Sequence, residues 1–302
     1  MVNVVVAYQD HFLRRLMKVA VGTQPEAVEI EEGTVINFWV PTTSATKNHL
    51  PPLVFLHGFG FNGILTWQFQ IPAFSRSHSV YVPDLLFFGC SFTQNPRRSP
   101  AFMAECLAKG LRKLGVERGC TVVGFSYGGI VAFKMAEMFP EMVRAVVVTG
   151  SGMEFTRSVS RSGLERLGYG SWAECLVPET VEGMQKLLEI AAYKQLPLPA
   201  RVVKDAWEVA LIEHRKERAE LLEEMVIEDH NFKVHPYTQK IHFIWGENDR
   251  LINMEVARHQ QMLLKGKATL QSIEKAGHLV QMERPWVFNG HLKKFLDSLN
   301  DK

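Results

Sequence analysis

Residues 121–139 read TVVGFSYGGIVAFKMAEMF, and this stretch decides the fold. The β-rich run TVV predicts a strand, and GIVAFKMAEMF predicts a helix over 129–139 that is stopped by Pro140. Between them lies the pattern G-x-S-x-G, centred on Ser126. Serine between glycines is common by chance, but at a strand-to-helix turn the pattern is typical of a nucleophile elbow. We therefore interpret Ser126 as a nucleophile, with an ordinary turn as the alternative.

Further short apolar runs, bounded by glycine or proline and separated by helical patterns, lie on both sides of this stretch. Such alternation predicts βαβ units and a mostly parallel sheet flanked by helices, which is an α/β fold. An opening β-hairpin is expected over 27–32 and 34–40. The other strands are expected at 53–56, 79–82, 145–149, 241–245 and 268–273, and the helices include 101–114 and 255–264.

The middle of the chain has a different character. Strand-like runs are missing from about 153 to 234, and helical patterns at 180–193 and 200–227 replace them. We predict an α/β core made of residues 1–152 and 235–302, interrupted by a helical cap of residues 153–234 that covers the site.

A serine nucleophile needs a base, and the base needs an acid that fixes its tautomer. His278 follows the predicted strand 268–273, and Asp249 follows the strand 241–245. Taken singly, the first could be a surface histidine and the second a turn residue. The chain order Ser126, Asp249, His278 is one of the known orders of serine-hydrolase triads.

Hydrolysis through a tetrahedral intermediate also requires hydrogen-bond donors for its oxyanion. The sequence HGFG at 57–60 follows strand 53–56, where such a loop belongs. We predict that the backbone N–H groups of Phe59 and Tyr127 are these donors. His57 is interpreted as a structural brace of the loop.

Five motifs together resemble successive motifs of the α/β-hydrolase superfamily over residues 53–285: LVFLHGFG, YVPDLLFFGCS, VVGFSYGG, IWGENDRLI and AGHLVQMERP. They look particularly like small soluble esterases and lipase-like members with a helical cap, many of them from plants. The resemblance implies an α/β-hydrolase fold and a Ser–Asp–His hydrolase without a cofactor. The sequence departs from it at Cys90, where many relatives carry Asp.

Other functions compete with ester hydrolysis. Residues 58–63 match G-x-G-x-x-G, and Asp84 follows at the distance of a ribose-binding acid, as in dinucleotide-dependent oxidoreductases. That reading leaves Ser126, Asp249 and His278 unexplained. Lyases and small-molecule receptors share the fold and are the alternative to a hydrolase. Epoxide hydrolases and haloalkane dehalogenases of this fold use Asp as nucleophile, and serine at position 126 counts against them.

Apolar residues near the predicted site favour an ester with a hydrophobic acyl or alcohol part. Around the nucleophile these are Phe59, Tyr127 and Leu279, and from the cap Phe155, Trp172 and Trp207. The three cap residues could equally pack in a helical core.

The composition limits which classes of binding partner we expect. The 302 residues include 34 basic and 32 acidic ones, and this balance gives no reason to expect nucleic acid as a partner. The cysteines have no CxxC pair or zinc-ligand spacing, so we expect no metal site and interpret them as free thiols of a reducing compartment: Cys90, Cys106, Cys120 and Cys175. The oligomeric state is not indicated by any pattern.

The N-terminal stretch mixes apolar residues with charged ones. No apolar run approaches the ~20 residues of a membrane span, and charged residues interrupt what would be a signal peptide, so a cytoplasmic location is the default expectation. Apolar positions predict an amphipathic helix instead: Phe12, Leu13, Leu16, Met17 and Val19. It either packs on the protein's own body or contacts a membrane peripherally through its basic face.

Overall fold

The computed structural model describes residues 2–42, 50–194 and 197–300. Eleven strands lie within them: β1 Thr23–Glu31, β2 Thr34–Pro41, β3 Pro52–Leu56, β4 Ser79–Pro83, β5 Phe92–Thr93, β6 Cys120–Phe125, β7 Val143–Thr149, β8 Phe155–Thr156, β9 Val226–Ile227, β10 Lys240–Gly246 and β11 Ala268–Ile273.

The central sheet has the strand order β1-β2-β4-β3-β6-β7-β10-β11. β2 pairs antiparallel with β1, β4 and the short β5, and from β4 onward all neighbours are parallel. The predicted mostly parallel sheet is confirmed. Because the carboxyl ends of parallel strands share one edge of a sheet, the segments that follow β6, β10 and β11 lie at the same edge.

Helices cover both faces of the sheet. Their bounds are α1 4–21, α2 Gly63–Thr66, α3 Gln70–Phe74, α4 Pro100–Lys113, α5 Tyr127–Met138, α6 Arg157–Leu167, α7 Trp172–Leu176, α8 Val181–Ala191, α9 Ala200–Leu211, α10 Arg215–Glu224, α11 Met254–Leu263, α12 Val280–Glu283 and α13 Pro285–Ser298. Successive strand residues point to opposite faces, so Val122 and Val123 of β6 enter two different hydrophobic layers. Both layers are buried, which explains why the parallel strands are continuously apolar.

The segment between β7 and β10 contains α6 to α10 and differs from the prediction in two details. The expectation that it lacks strands was wrong, because β8 and β9 form a short parallel pair. Two-residue strands leave no periodic pattern in a sequence. The helical pattern over 200–227 also divides, since His214 has a φ of 54° and separates α9 from α10. We refer to residues 153–234 as the insertion.

Helix α1 is the amphipathic N-terminal helix that the sequence predicted. Its segments Tyr8–Leu13 and Met17–Val21 are π-helical, with more residues per turn than an α-helix. Leu13 and Met17 are buried against the core, but Phe12 and Val19 are exposed, so the predicted apolar positions divide between two faces. The Val4 N–H donates to Asp205 Oδ2 of the insertion at 2.7 Å. Among the described residues, no helix combines the length and hydropathy needed to cross a membrane.

Candidate active site

Ser126 occupies a strained turn between β6 and α5. Its φ of 52° and ψ of −123° lie in a region that residues other than glycine seldom adopt. The turn needs glycine on both sides, because a Cβ at Gly124 would lie 2.4 Å from Gly128 O and one at Gly128 would lie 2.4 Å from His57 O. The Ser126 N–H donates to Thr149 O at 2.9 Å. This geometry projects the partly exposed serine from the edge of the sheet.

His278 and Asp249 form a buried pair at the ends of β11 and β10. The distance between His278 Nδ1 and Asp249 Oδ2 is 2.8 Å. Asp249 Oδ1 accepts the N–H groups of Leu251 and Ile252, each at 2.9 Å, so the carboxylate has a fixed orientation. A carboxylate only accepts, so His278 Nδ1 carries the proton of this contact, and in the neutral ring Nε2 has the lone pair.

The pair lies beside the serine. The His278 ring packs 4.8 Å from the ring of Phe125, the residue that precedes Ser126. A Cβ at Gly150, which follows the carbonyl that holds Ser126, would lie 2.7 Å from His278 Cε1. Within the described part of the chain, the Ser126 hydroxyl has no hydrogen-bond partner. Hydrogen bonds of this kind are often long before substrate binds.

Phe59 and Tyr127, the two residues predicted to donate to an oxyanion, also lie together at this edge. The rings of Phe59 and Tyr127 pack edge to face with centroids 5.2 Å apart. Gly58, just before Phe59, approaches Ser126 so closely that a Cβ there would lie 2.8 Å from Ser126 Cβ. The Tyr127 N–H stands at the first position of α5, where a helix supplies no acceptor of its own.

His57 supports the loop that carries Phe59. Its Nδ1 lies 2.7 Å from Gly58 O, and its Nε2 accepts the Leu85 N–H at 2.9 Å. Both contacts together require a neutral ring. Complete burial lowers the pKa of His57 to about 4.

His57 should make the fold sensitive to acid. Between pH 6.5 and 4, His57 binds a proton in the unfolded chain but not in the folded chain, so the free energy of unfolding falls as pH falls. We expect His57→Gln to be less stable at pH 7 but to lose about 3 kcal/mol less on acidification to pH 4. Urea unfolding at both pH values measures this difference. Parallel losses in the two proteins would contradict it.

The dinucleotide-binding alternative assigns Asp84 to a ribose, and Cys90 is the position at which the sequence departs from the α/β-hydrolase resemblance. The two carboxylate oxygens of Asp84 accept the Gly63 N–H at 2.9 Å and Asn37 Nδ2 at 3.0 Å. Burial raises the pKa of Asp84 to about 6. This carboxylate braces a turn from inside the protein and is not presented to a ribose. Cys90 belongs to the same turn, is exposed, and is a free thiol like the three buried cysteines.

The predicted substrate-binding residues fall into separate groups. Phe59 and Tyr127 lie at the elbow. Leu279 borders a pocket of about 360 Å³ with α8 and α9 residues such as Leu188 and Val203. Phe155 and Trp172 pack on each other at 5.7 Å inside the insertion, and both line another pocket, with Leu251 and Ile252. Trp207, also of the insertion, donates its indole N–H to Pro178 O at 3.0 Å.

The insertion is joined to the loops of the site by a set of hydrogen bonds that the sequence did not predict. We call this set the cap junction, and it consists of residues 189–193 with Arg250, Gly277, His278, Leu279 and Glu283. The His278 N–H donates to Ala191 O at 2.7 Å, and Arg250 Nη2 donates to Ala192 O at 2.8 Å and to Glu189 O. The Glu283 carboxylate accepts the N–H groups of Tyr193 at 2.7 Å and Gly277 at 2.8 Å. The insertion therefore holds the His278 N–H directly, and Glu283 connects Gly277 to Tyr193 of the insertion.

Glu283 should position His278 through this junction. Burial raises the pKa of the Glu283 carboxyl above its usual range. In Glu283→Gln one of the two N–H groups faces an amide NH₂, and we expect the free energy of unfolding to drop by about 2 kcal/mol. We also expect kcat to fall about tenfold with KM changing less, because the imidazole is displaced. The matched control is the exposed Glu182→Gln on α8, and equal effects of both substitutions on kcat would contradict the assignment.

The family model described as the alpha/beta hydrolase fold matches residues 51–285. The chain belongs to the α/β-hydrolase family.

Proteins similar to this α/β-hydrolase include an epoxide hydrolase, a monoacylglycerol lipase and a phospholipase. It is 23% identical over 280 residues to epoxide hydrolase 4 of Mus musculus, covering 84% of this chain and 75% of that protein. It is 31% identical over 176 residues to a monoacylglycerol lipase of Homo sapiens, covering 54% of this chain and 50% of the lipase. The structure of a bacterial membrane phospholipase A superposes with a TM-score of 0.79 at 22% identity, over 99% of this chain and 92% of that one. The similarity to the phospholipase structure shows the fold alone.

Proposed function

We propose that this α/β-hydrolase is a serine hydrolase that cleaves carboxylic esters through Ser126, Asp249 and His278. The observation that carries the proposal is the buried His278–Asp249 pair, joined at 2.8 Å beside the strained turn of Ser126. The Asp249 orientation leaves the lone pair of His278 Nε2 available as a base, which is what a serine hydroxyl requires.

The reaction follows from these positions. His278 Nε2 takes the proton of Ser126 Oγ as this oxygen attacks the acyl carbonyl. The Phe59 and Tyr127 N–H groups donate to the resulting oxyanion. The imidazolium then protonates the leaving alcohol, and an acyl-Ser126 ester remains. Water gives a proton to His278 and its oxygen attacks this ester, after which the imidazolium returns the proton to Ser126 as the acid departs.

A hydrophobic acyl or alcohol part fits the surroundings best. The pocket beside Leu279 is bordered by apolar side chains such as Leu188 and Val203, together with Gln185 and Glu189, and Leu279 directly follows His278. Burial of apolar ester carbons there contributes about 25 cal/mol per Å². The similarity to a monoacylglycerol lipase supports the same substrate class. An epoxide substrate is disfavoured, since ring opening by this fold uses a carboxylate nucleophile and position 126 is serine.

Labelling by a fluorophosphonate probe tests the proposal. The expected result is a covalent adduct on the peptide that contains Ser126, together with turnover of p-nitrophenyl esters that increases from acetate to longer acyl chains. Labelling without turnover would favour a lyase or a receptor with the same pocket. Absence of both labelling and turnover would overturn the assignment of Ser126 as an activated nucleophile.

A further inference from the structure

Helix α1 turns a row of large apolar side chains to the solvent. Tyr8 is 41% exposed, Phe12 56% and Val19 79%, although Leu13 and Met17 on the opposite side are buried. The Tyr8 and Phe12 rings stack at 5.5 Å, so they form one apolar surface. A helix that only packs on its own protein usually has a polar outer face, whereas the exposed side of α1 carries large apolar side chains beside its charged ones.

Two exposed aromatic residues lie on neighbouring elements. Tyr8 Oη donates to Gln68 Oε1 at 2.6 Å, and the next residue, Phe69, is 37% exposed. The Phe69 carbonyl accepts from Asn289 Nδ2 of α13 at 3.1 Å. One turn before Asn289 stands Trp286, which is 77% exposed. We call these five residues, four aromatic and one aliphatic, the aromatic face: Tyr8, Phe12, Val19, Phe69 and Trp286.

Positive charge accompanies the aromatic face. Arg15 and Lys18 are exposed on α1 beside Phe12 and Val19. The single acid of α1, Asp10, lies 2.9 Å from Arg14 and is neutralised by it. Exposed aromatic and aliphatic side chains with lysine and arginine beside them are typical of helices that lie in the headgroup region of a bilayer. Tyrosine and tryptophan are the residues enriched at that depth.

We propose that the aromatic face docks the protein on a lipid surface that carries anionic headgroups. Phe12, Val19 and Trp286 enter the boundary between headgroups and acyl chains. Arg15 and Lys18 bind the headgroup phosphates and carboxylates. The charge pattern selects anionic over neutral lipid, and salt weakens the attraction.

Vesicle flotation tests this docking with the full chain. Vesicles of phosphatidylcholine alone are compared with vesicles that also contain phosphatidylserine. We expect wild type to bind the mixed vesicles more strongly. Arg15→Glu with Lys18→Glu should lower partition onto the mixed vesicles at least about tenfold. Phe12→Ser with Trp286→Ser should weaken binding to both kinds of vesicle.

Met262→Ser is the matched control, because Met262 is 70% exposed but lies on α11, away from the aromatic face. It should leave binding unchanged, and all variants should keep the wild-type Tm and the turnover of a water-soluble ester. Failure of wild type to bind either vesicle overturns the proposal, as does an equal loss in the Met262 control. A wild-type dimer that the Phe12/Trp286 variant converts to a monomer also overturns it, because the face then binds a second copy of the chain.

Discussion

Ser126→Ala is expected to lower kcat for a carboxylic ester roughly a million-fold, the size of loss found when a triad serine is removed from a hydrolase. In the proposed mechanism the hydroxyl oxygen is the atom that becomes acylated, and water bound in its place lacks the fixed position beside His278. Folding should be preserved, since the hydroxyl has no hydrogen-bond partner among the described residues and alanine tolerates the turn no worse than serine.

Turnover of a p-nitrophenyl ester and the thermal unfolding curve measure both parts of this prediction. The control is Ser77→Ala at an exposed serine remote from the elbow, which should keep full activity. Turnover in the Ser126 variant within a factor of ten of wild type would show that another group attacks the ester.

Asp249→Asn is expected to lower kcat about 10⁴-fold with little change in fold. The Leu251 and Ile252 N–H groups both donate to Oδ1, so the amide of the variant must keep its oxygen there and turn its NH₂ toward His278 Nδ1. A donor facing Nδ1 forces the ring proton onto Nε2. The base then has no lone pair for the Ser126 proton.

The readouts for this variant are kcat, KM and the rate of fluorophosphonate labelling. Labelling should slow in parallel with kcat, while KM stays close to the wild-type value. Asp297→Asn on α13, which breaks an exposed ion pair with Lys293, is the control and should change none of them. An Asp249 variant that retains a tenth of wild-type kcat would exclude Asp249 as the acid partner of His278.

Much of the fold could be predicted from the sequence, because parallel strands buried on both faces leave continuous apolar runs. β3, β4 and β10 lie where such runs end at glycine or proline. The positions of Ser126, Asp249 and His278 followed from the same logic, since they lie in the segments that follow β6, β10 and β11. Parallel pairing then requires the three loops to meet at one edge.

The cap junction could not be predicted. It depends on backbone N–H and C=O groups, such as those of Ala191 and Gly277, which every sequence contains and which leave no pattern of residue types. Glu283 lies 90 residues from Tyr193 along the chain, and a single glutamate carries no sign of its distant partner. The division of α1 into buried and exposed apolar residues was missed for a related reason. Its wide turns shift the helical period on which an amphipathic pattern is judged.

The cap junction also limits how this enzyme can be re-engineered. Exchange of caps between members of a fold is an attractive route to new specificities, provided that the cap is an independent module. Here the carbonyls of 189–192 complete the hydrogen bonding of the loops that carry His278 and Asp249. A chimera that replaces the whole insertion would discard part of the scaffold of the loop that carries His278. Grafts confined to residues before position 189 and after position 193 would leave that scaffold intact.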